Sequence, residues 1–368
     1  MITVQKPTLL LDQERVLHNI KRMVERARGS GVRLRPHFKT HQSAEIGNWF
    51  RPFGVEAITV SSVSMARYFA KHGWQDITLA FPTNILEIEA INQLAAQIKL
   101  GLLVESVETV QFLAQHLTHP VNLWIKIDVG YGRTGVDWLN TDALDALTTA
   151  IGSAPHLSLR GILTHAGHTY KARSRSEIEV TYHDFVFKMK AAKARLEEVG
   201  AGQIEISIGD TPSCSIVNDL SDVDEIRPGN FVFYDVMQRQ IGTCRETDIA
   251  VAVACPVVAK HPDQGKLVIY GGAVHLSKEA LLMGEQQIFG YVALPTPQGW
   301  GSRLENAVVT NLSQEHGLIS ADEATLNQIQ VGDIVMVLPV HSCLTANLMR
   351  KYHTLEGDII PLGDLDAP

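Results

Sequence analysis

The chain has 368 residues, 45% of them hydrophobic, enough to bury a large core and a smaller second one. Its formal net charge is −8 with no basic run, which argues against a nucleic-acid partner. No stretch of about 18 apolar residues would span a membrane, and the four cysteines are dispersed without a CxxC pair, which suits a reducing cytoplasm.

The start, "MITVQKPTLLLDQERV", lacks the charged-then-apolar pattern of a leader and gives a first short strand, "TLLLD". From there to about residue 245 apolar strand-like runs alternate with helix-like stretches. The strands are "RLRPHFK", "AITVSS", "ITLAF", "KLGLLV", "VNLWIKIDV", "LRGILTHAG", "IEISIGD" and "DEIRPG". Between them lie helical patterns such as "VSMARYFAKHG", "VETVQFLAQHL" and "IEVTYHDFVFKMKAAKARLEEVGA". Such alternation with short connections means βαβ units and a parallel sheet. About eight units over about 240 residues predict an α/β fold of the TIM-like (β/α)8 barrel class, with an open doubly wound sheet as the alternative. After residue 245 the texture changes to strands broken by Gly, Pro, Asn and Asp, among them "KLVIYGG" and "VGDIVMVLPVH". The predicted division is therefore a barrel over 10–245 and a β-rich domain over 246–368, joined by 1–9.

Chemistry in a barrel sits at the C-terminal strand ends, so the polar residues following apolar runs are the candidates. In "RPHFKTHQ", alternation places Arg35, His37, Lys39 and His41 on one face of an extended segment. Cationic neighbours disfavour the charged form of a lysine, which suits Lys39 as an amine nucleophile; a solvated surface lysine is the plain alternative. "IDVGYGRTGV" puts Asp128 at a strand end, then glycines that permit close approach or positive φ around Arg133. "THAGHTY" offers His165, His168 and Tyr170, which can stack on a flat cofactor or carry protons, or be ordinary loop residues. "SIGDTPSCSI" ends a strand at Gly209 and starts a helix at Thr211, Pro212 and Ser213. That start can cradle a phosphate or simply be capped. In "LPVHSCLTAN", His341 and Cys343 lie two apart on a segment read as extended, so both point to one side and form half of a zinc site, or an unrelated buried pair.

These segments, with "IRPGNFVFYDVMQRQIG" and "LSQEHG", resemble in order the D-serine dehydratase and D-threonine aldolase family, pyridoxal-phosphate enzymes with the alanine racemase fold (fold type III). The resemblance runs from residue 8 to about 347. It implies that Lys39 carries pyridoxal 5'-phosphate as a Schiff base and serves as the base for the α-proton. It gives the phosphate to Gly209, Thr211 and neighbouring N–H groups with Tyr234, and the pyridine nitrogen to Arg133. His37, His165 and Tyr170 would line the cofactor, and His341 and Cys343 would bind a divalent metal, zinc rather than Mn or Mg. One departure is Asp210, where the family more often carries serine; a carboxylate beside a phosphate must point away or pair with a cation. The resemblance further implies a cytoplasmic homodimer acting on a small D-amino acid. Elimination of water would give a keto acid and ammonia; retro-aldol cleavage would give glycine and an aldehyde. Racemisation would need a second base, for which Tyr270 and Tyr291 are candidates.

Overall fold

The computed structural model describes residues 4–365. The chain divides into two compact units. One holds Arg22–Lys39, Ile46–Gly229 and the residues from Gly363; the other holds the residues up to Lys21, Thr40–Glu45 and Asn230–Leu362. Residues 230–245, grouped with the barrel in the sequence reading, pack within the second of these.

In the first unit eight parallel strands run in the spatial order Arg33–Leu34, Glu225–Ile226, Glu205–Ile208, Leu157–Leu163, Val121–Asp128, Lys99–Val104, Asp76–Pro82 and Ala57–Val60. A bridge between His37 and Thr59 nearly closes the ring. Helices intervene as the alternating pattern requires, the longest being Arg175–Glu198. They start where the sequence supplies a cap: Ser62, Ser106 and Ser174 each accept a hydrogen bond from the backbone three residues on. Small residues let the wall close. A Cβ on Gly161 would sit 2.2 Å from the Glu205 carbonyl oxygen, so only glycine fits that strand crossing.

The second unit is antiparallel except where Thr8–Leu11 pairs in parallel with Lys351–Thr354. Its nine-stranded sheet runs Lys266–Tyr270, His316–Ala321, Gly299–Leu312, Gly290–Thr296, Ile334–Pro339, Val251–His261, Thr8–Leu11, Lys351–Thr354 and Ile359–Pro361. Lys266–Tyr270 also pairs with Val251–His261, which curls six of the strands into a ring. The strand Thr8–Leu11 is buried along its whole length, as its uninterrupted apolar run requires. Among the described residues no helix is long and apolar enough to cross a membrane.

Candidate active site

In the barrel unit, the extended face expected for residues 35–41 does not form. The strand ends at Leu34 and the chain turns at 38–41. The turn is set by Phe38, fully buried with its ring 5.1 Å from Phe50, 5.0 Å from Phe69 and 5.1 Å from Trp74. Lys39 donates its backbone N–H to His37 Nδ1 at 3.4 Å, and its side chain stays exposed. Arg35 is drawn away from Lys39 to Glu225 and Asp76. His41 belongs to the other unit, and burial there lowers its pKa to about 3, so it is neutral. The four-cation face is therefore corrected. The attraction of buried Arg35 for carboxylates and the burial of His41 outweigh local alternation.

The cations gather by tertiary contact instead. His165 follows Leu157–Leu163, and its Nδ1 lies 3.2 Å from the Gly209 carbonyl oxygen, which fixes Nδ1 as the protonated nitrogen. Burial, then the charges of Lys39, Lys126, Arg133 and Arg227, hold its pKa well below the usual histidine value. Lys126 is 5% exposed, and burial followed by repulsion from Arg227 and Arg133 lowers its pKa to about 7. Its signal was a lysine inside the apolar run "LWIKIDV", alternating with Trp124 and Asp128. Arg227 is 2% exposed, with its Nε 2.7 Å from Ser207 Oγ and Nη2 2.7 Å from the Thr164 carbonyl oxygen. Burial lowers its pKa to about 10. Arg133 is exposed on a loop built around Asp128, whose Oδ1 accepts from the N–H groups of Gly130, Tyr131 and Gly132 at 2.9, 3.0 and 3.1 Å. Gly130, Gly132 and Gly135 all take positive φ there.

Beside these groups begins the helix Thr211–Ile216, capped by Asp210. Asp210 Oδ1 accepts from Ser213 N at 2.7 Å and Thr169 Oγ1 at 3.0 Å, while Oδ2 has no partner. Thr211 Oγ1 and Ser213 Oγ are also buried without partners. Tyr170 Oη lies 3.5 Å from Thr211 N. Three orphaned polar atoms within one helical turn are rare in a folded interior and fit a polar ligand. Burial raises the pKa of Asp210, which disfavours its charged form.

In the antiparallel unit, His341 precedes the helix Ser342–Met349 and Cys343 lies in its first turn, so the pair is not on an extended segment. The helix start still leaves Cys343 near enough to raise the pKa of His341. Asp235 pins this turn through Ser342 N at 3.0 Å and Ser342 Oγ at 3.2 Å, with Asn230 Nδ2 at 2.6 Å on the same oxygen. Cys343 Sγ is 3.3 Å from Thr40 Oγ1. His341 Nδ1 is buried without a hydrogen bond, 3.5 Å from Glu279 Oε2. Burial lowers the His341 pKa, but Cys343 and Glu279 outweigh it and raise it to about 11. Among the described residues no group of three or more His, Cys, Asp or Glu side chains is placed to hold a metal. Tyr234 also belongs to this unit, 1% exposed and held at φ 49° immediately before Asp235.

The family model described as the alanine racemase N-terminal domain matches residues 11–236, and the one described as a putative serine dehydratase domain matches residues 250–355. D-threo-3-hydroxyaspartate dehydratase of Delftia sp. (strain HT23) is 31% identical over 373 residues, covering 97% of this chain and 96% of that one. D-serine dehydratase of Dictyostelium discoideum is 28% identical, covering 96% and 93%. The 3-hydroxy-D-aspartate aldolase of Paracoccus denitrificans (strain Pd 1222) is 24% identical, covering 95% and 88%. A solved D-threo-3-hydroxyaspartate dehydratase, a cysteine-to-alanine variant in the metal-free form, superposes with a TM-score of 0.91 at 28% identity, covering 98% of both chains.

Proposed function

Because this chain belongs to the alanine racemase N-terminal-domain family and is a pyridoxal-phosphate-dependent lyase, we propose that it eliminates water from β-hydroxy D-amino acids, giving a keto acid and ammonia. The observation that carries this reading is the full-length similarity to a D-threo-3-hydroxyaspartate dehydratase, which spans both units. The unpartnered hydroxyls of Thr211 and Ser213 at this helix start support a bound phosphate. Pyridoxal phosphate, when bound, supplies an electron sink for the pair left on Cα.

Lys39 Nζ holds the cofactor and takes the α-proton from the substrate. His165, neutral with its proton on Nδ1, offers a flat uncharged face and adds no cation to those already gathered. His37 and Tyr170 line the cofactor, and Gly209 leaves room for the guanidinium of Arg227, whose Nη1 would lie 2.9 Å from a Cβ there. Arg133, on an exposed loop, is one partner for the ring nitrogen, and the buried Arg227 is the better-held one. A guanidinium there would leave that nitrogen unprotonated and so temper the electron sink that the cofactor would supply. Tyr234 assists at the phosphate.

The imidazole of His341 and the thiolate of Cys343 are the proposed zinc donors, and their nearness at one helix start supports this. Zinc, when bound, supplies a Lewis acid for the departing β-hydroxyl. Two donors leave positions open for non-protein ligands. We place the enzyme in the cytoplasm as a homodimer. Retro-aldol cleavage is the second reading, favoured by the likeness to an aldolase.

The test is product identification. Purified protein with pyridoxal phosphate and zinc is incubated with D-serine, D-threonine and D-threo-3-hydroxyaspartate. Keto acid and ammonia, lost on chelation, support the dehydratase. Glycine and an aldehyde select the aldolase, and neither product from any substrate rejects both.

A further inference from the structure

Arg227 owes its orientation to residues that stand away from the site. The parallel register pairs Glu225 with Ser207 on neighbouring barrel strands, so both side chains enter the interior at one level. Glu225 is fully buried, and its Oε2 accepts from Arg35 Nε at 2.8 Å. Its Oε1 accepts the Ser207 hydroxyl at 2.8 Å. The carboxylate cannot donate, so the single hydroxyl proton of Ser207 points to Glu225. The Ser207 lone pair is thereby turned toward Arg227 Nε, 2.7 Å away. Thr164 O takes Nη2, and Gly209 lies against Nη1. Arg35 closes the far end through Asp76, at the mouth formed by the strand starts, where a cavity of about 600 Å³ opens. The polar chain therefore runs Asp76, Arg35, Glu225, Ser207, Arg227, along the barrel interior.

We propose that Glu225 and Ser207 are positioning residues for the reaction: they fix the direction and the charge of Arg227 from within the barrel without touching cofactor or substrate. The inference rests on the functional reading above, in which Arg227 faces the cofactor. A reversed or missing Ser207 hydroxyl leaves Arg227 Nε buried without an acceptor, and the guanidinium must then turn to find one. Neutralising Glu225 removes the carboxylate that offsets the cost of burying the Arg227 charge.

The test uses full-length holoenzyme carrying Ser207→Ala, Ser207→Thr or Glu225→Gln. Ser207→Ala leaves the Arg35–Glu225 pair in place; Glu225→Gln keeps the shape and removes the charge. The readouts are the absorbance of bound pyridoxal phosphate without substrate, kcat and KM separately, and the thermal midpoint. For Ser207→Ala we expect a displaced cofactor absorbance maximum and a kcat lower by about ten- to a hundredfold, with KM little changed. Ser207→Thr, which keeps the hydroxyl, should restore both. Glu225→Gln should displace the band as Ser207→Ala does, and it decides the question if Ser207→Ala does not fold. A folded Ser207→Ala protein with the wild-type band and a kcat within about twofold overturns the proposal. So does a Ser207→Thr variant as impaired as Ser207→Ala, because packing and not the hydroxyl would then be responsible. A wild-type protein that shows no cofactor band rejects the functional reading itself, and the proposal with it.

Discussion

Asp210→Asn should make the cofactor-free chain more stable at alkaline pH. Asp210 is fully buried; Oδ1 is satisfied twice and Oδ2 not at all. Burial raises its pKa above the unfolded value. Between the unfolded and native pKa, the native chain therefore holds a proton that the unfolded chain has released. Stability falls as pH rises through that window, and the loss is complete above the native pKa. The amide keeps the Oδ1 acceptor for Ser213 N and Thr169 Oγ1, and asparagine caps helices about as well as aspartate. What changes is the orphan, from a charged oxygen to a neutral amide. An unsatisfied buried polar group costs about 1–3 kcal/mol, and more when charged, so the gain should be about 1–2 kcal/mol. That corresponds to a Tm several degrees higher, at about 2–4 °C per kcal/mol. Thermal scans of both proteins from about pH 3 to about pH 9 measure it, with the gain growing as pH rises through the native pKa and level above it. A gain that does not vary with pH, or a variant less stable than wild type at high pH, would refute the reasoning.

Lys39→Ala should remove the borohydride-reducible cofactor link and its absorbance band while the fold persists; a band that survives removes Lys39 from its role. His341→Ala and Cys343→Ala should each keep that band but lose zinc, measured by metal analysis after dialysis; full zinc content in both would end the metal reading. Gly209→Ala places a methyl 2.9 Å from a pinned guanidinium. Overpacking of this kind should weaken pyridoxal phosphate binding by about tenfold, read by titration. Arg35→Met takes from buried Glu225 its nearest cation, leaving the Ser207 hydroxyl and Arg33 at 3.6 Å, which should cost about 3 kcal/mol in the denaturant midpoint analysis.

Much of the fold was legible because barrel strands and caps are local facts. Ser62, Ser106 and Ser174 cap the helices they precede, and "VNLWIKIDV" is apolar over a buried strand. The helix start at Thr211 and the positive-φ glycines around Arg133 were also readable, because proline and glycine report backbone geometry directly. The extended face through Arg35, Lys39 and His41 failed because alternation assumes the strand continues. It ends at Leu34, where a buried aromatic cluster around Phe38 sets the turn. His341 and Cys343 were paired for the wrong local reason: a helix start brings them together, not a pleat.

The sequence by itself determined the alternating pattern, the antiparallel texture after it and the residue types able to do this chemistry, since each depends on neighbours within a few positions. Only the tertiary structure decided which cations surround His165, why the pKa of Asp210 is raised at a helix start, and that Arg227 is aimed through Ser207 and Glu225. Those groups are tens to hundreds of residues apart in the chain; only strand register and burial bring them within hydrogen-bonding reach and remove the water that would otherwise screen them.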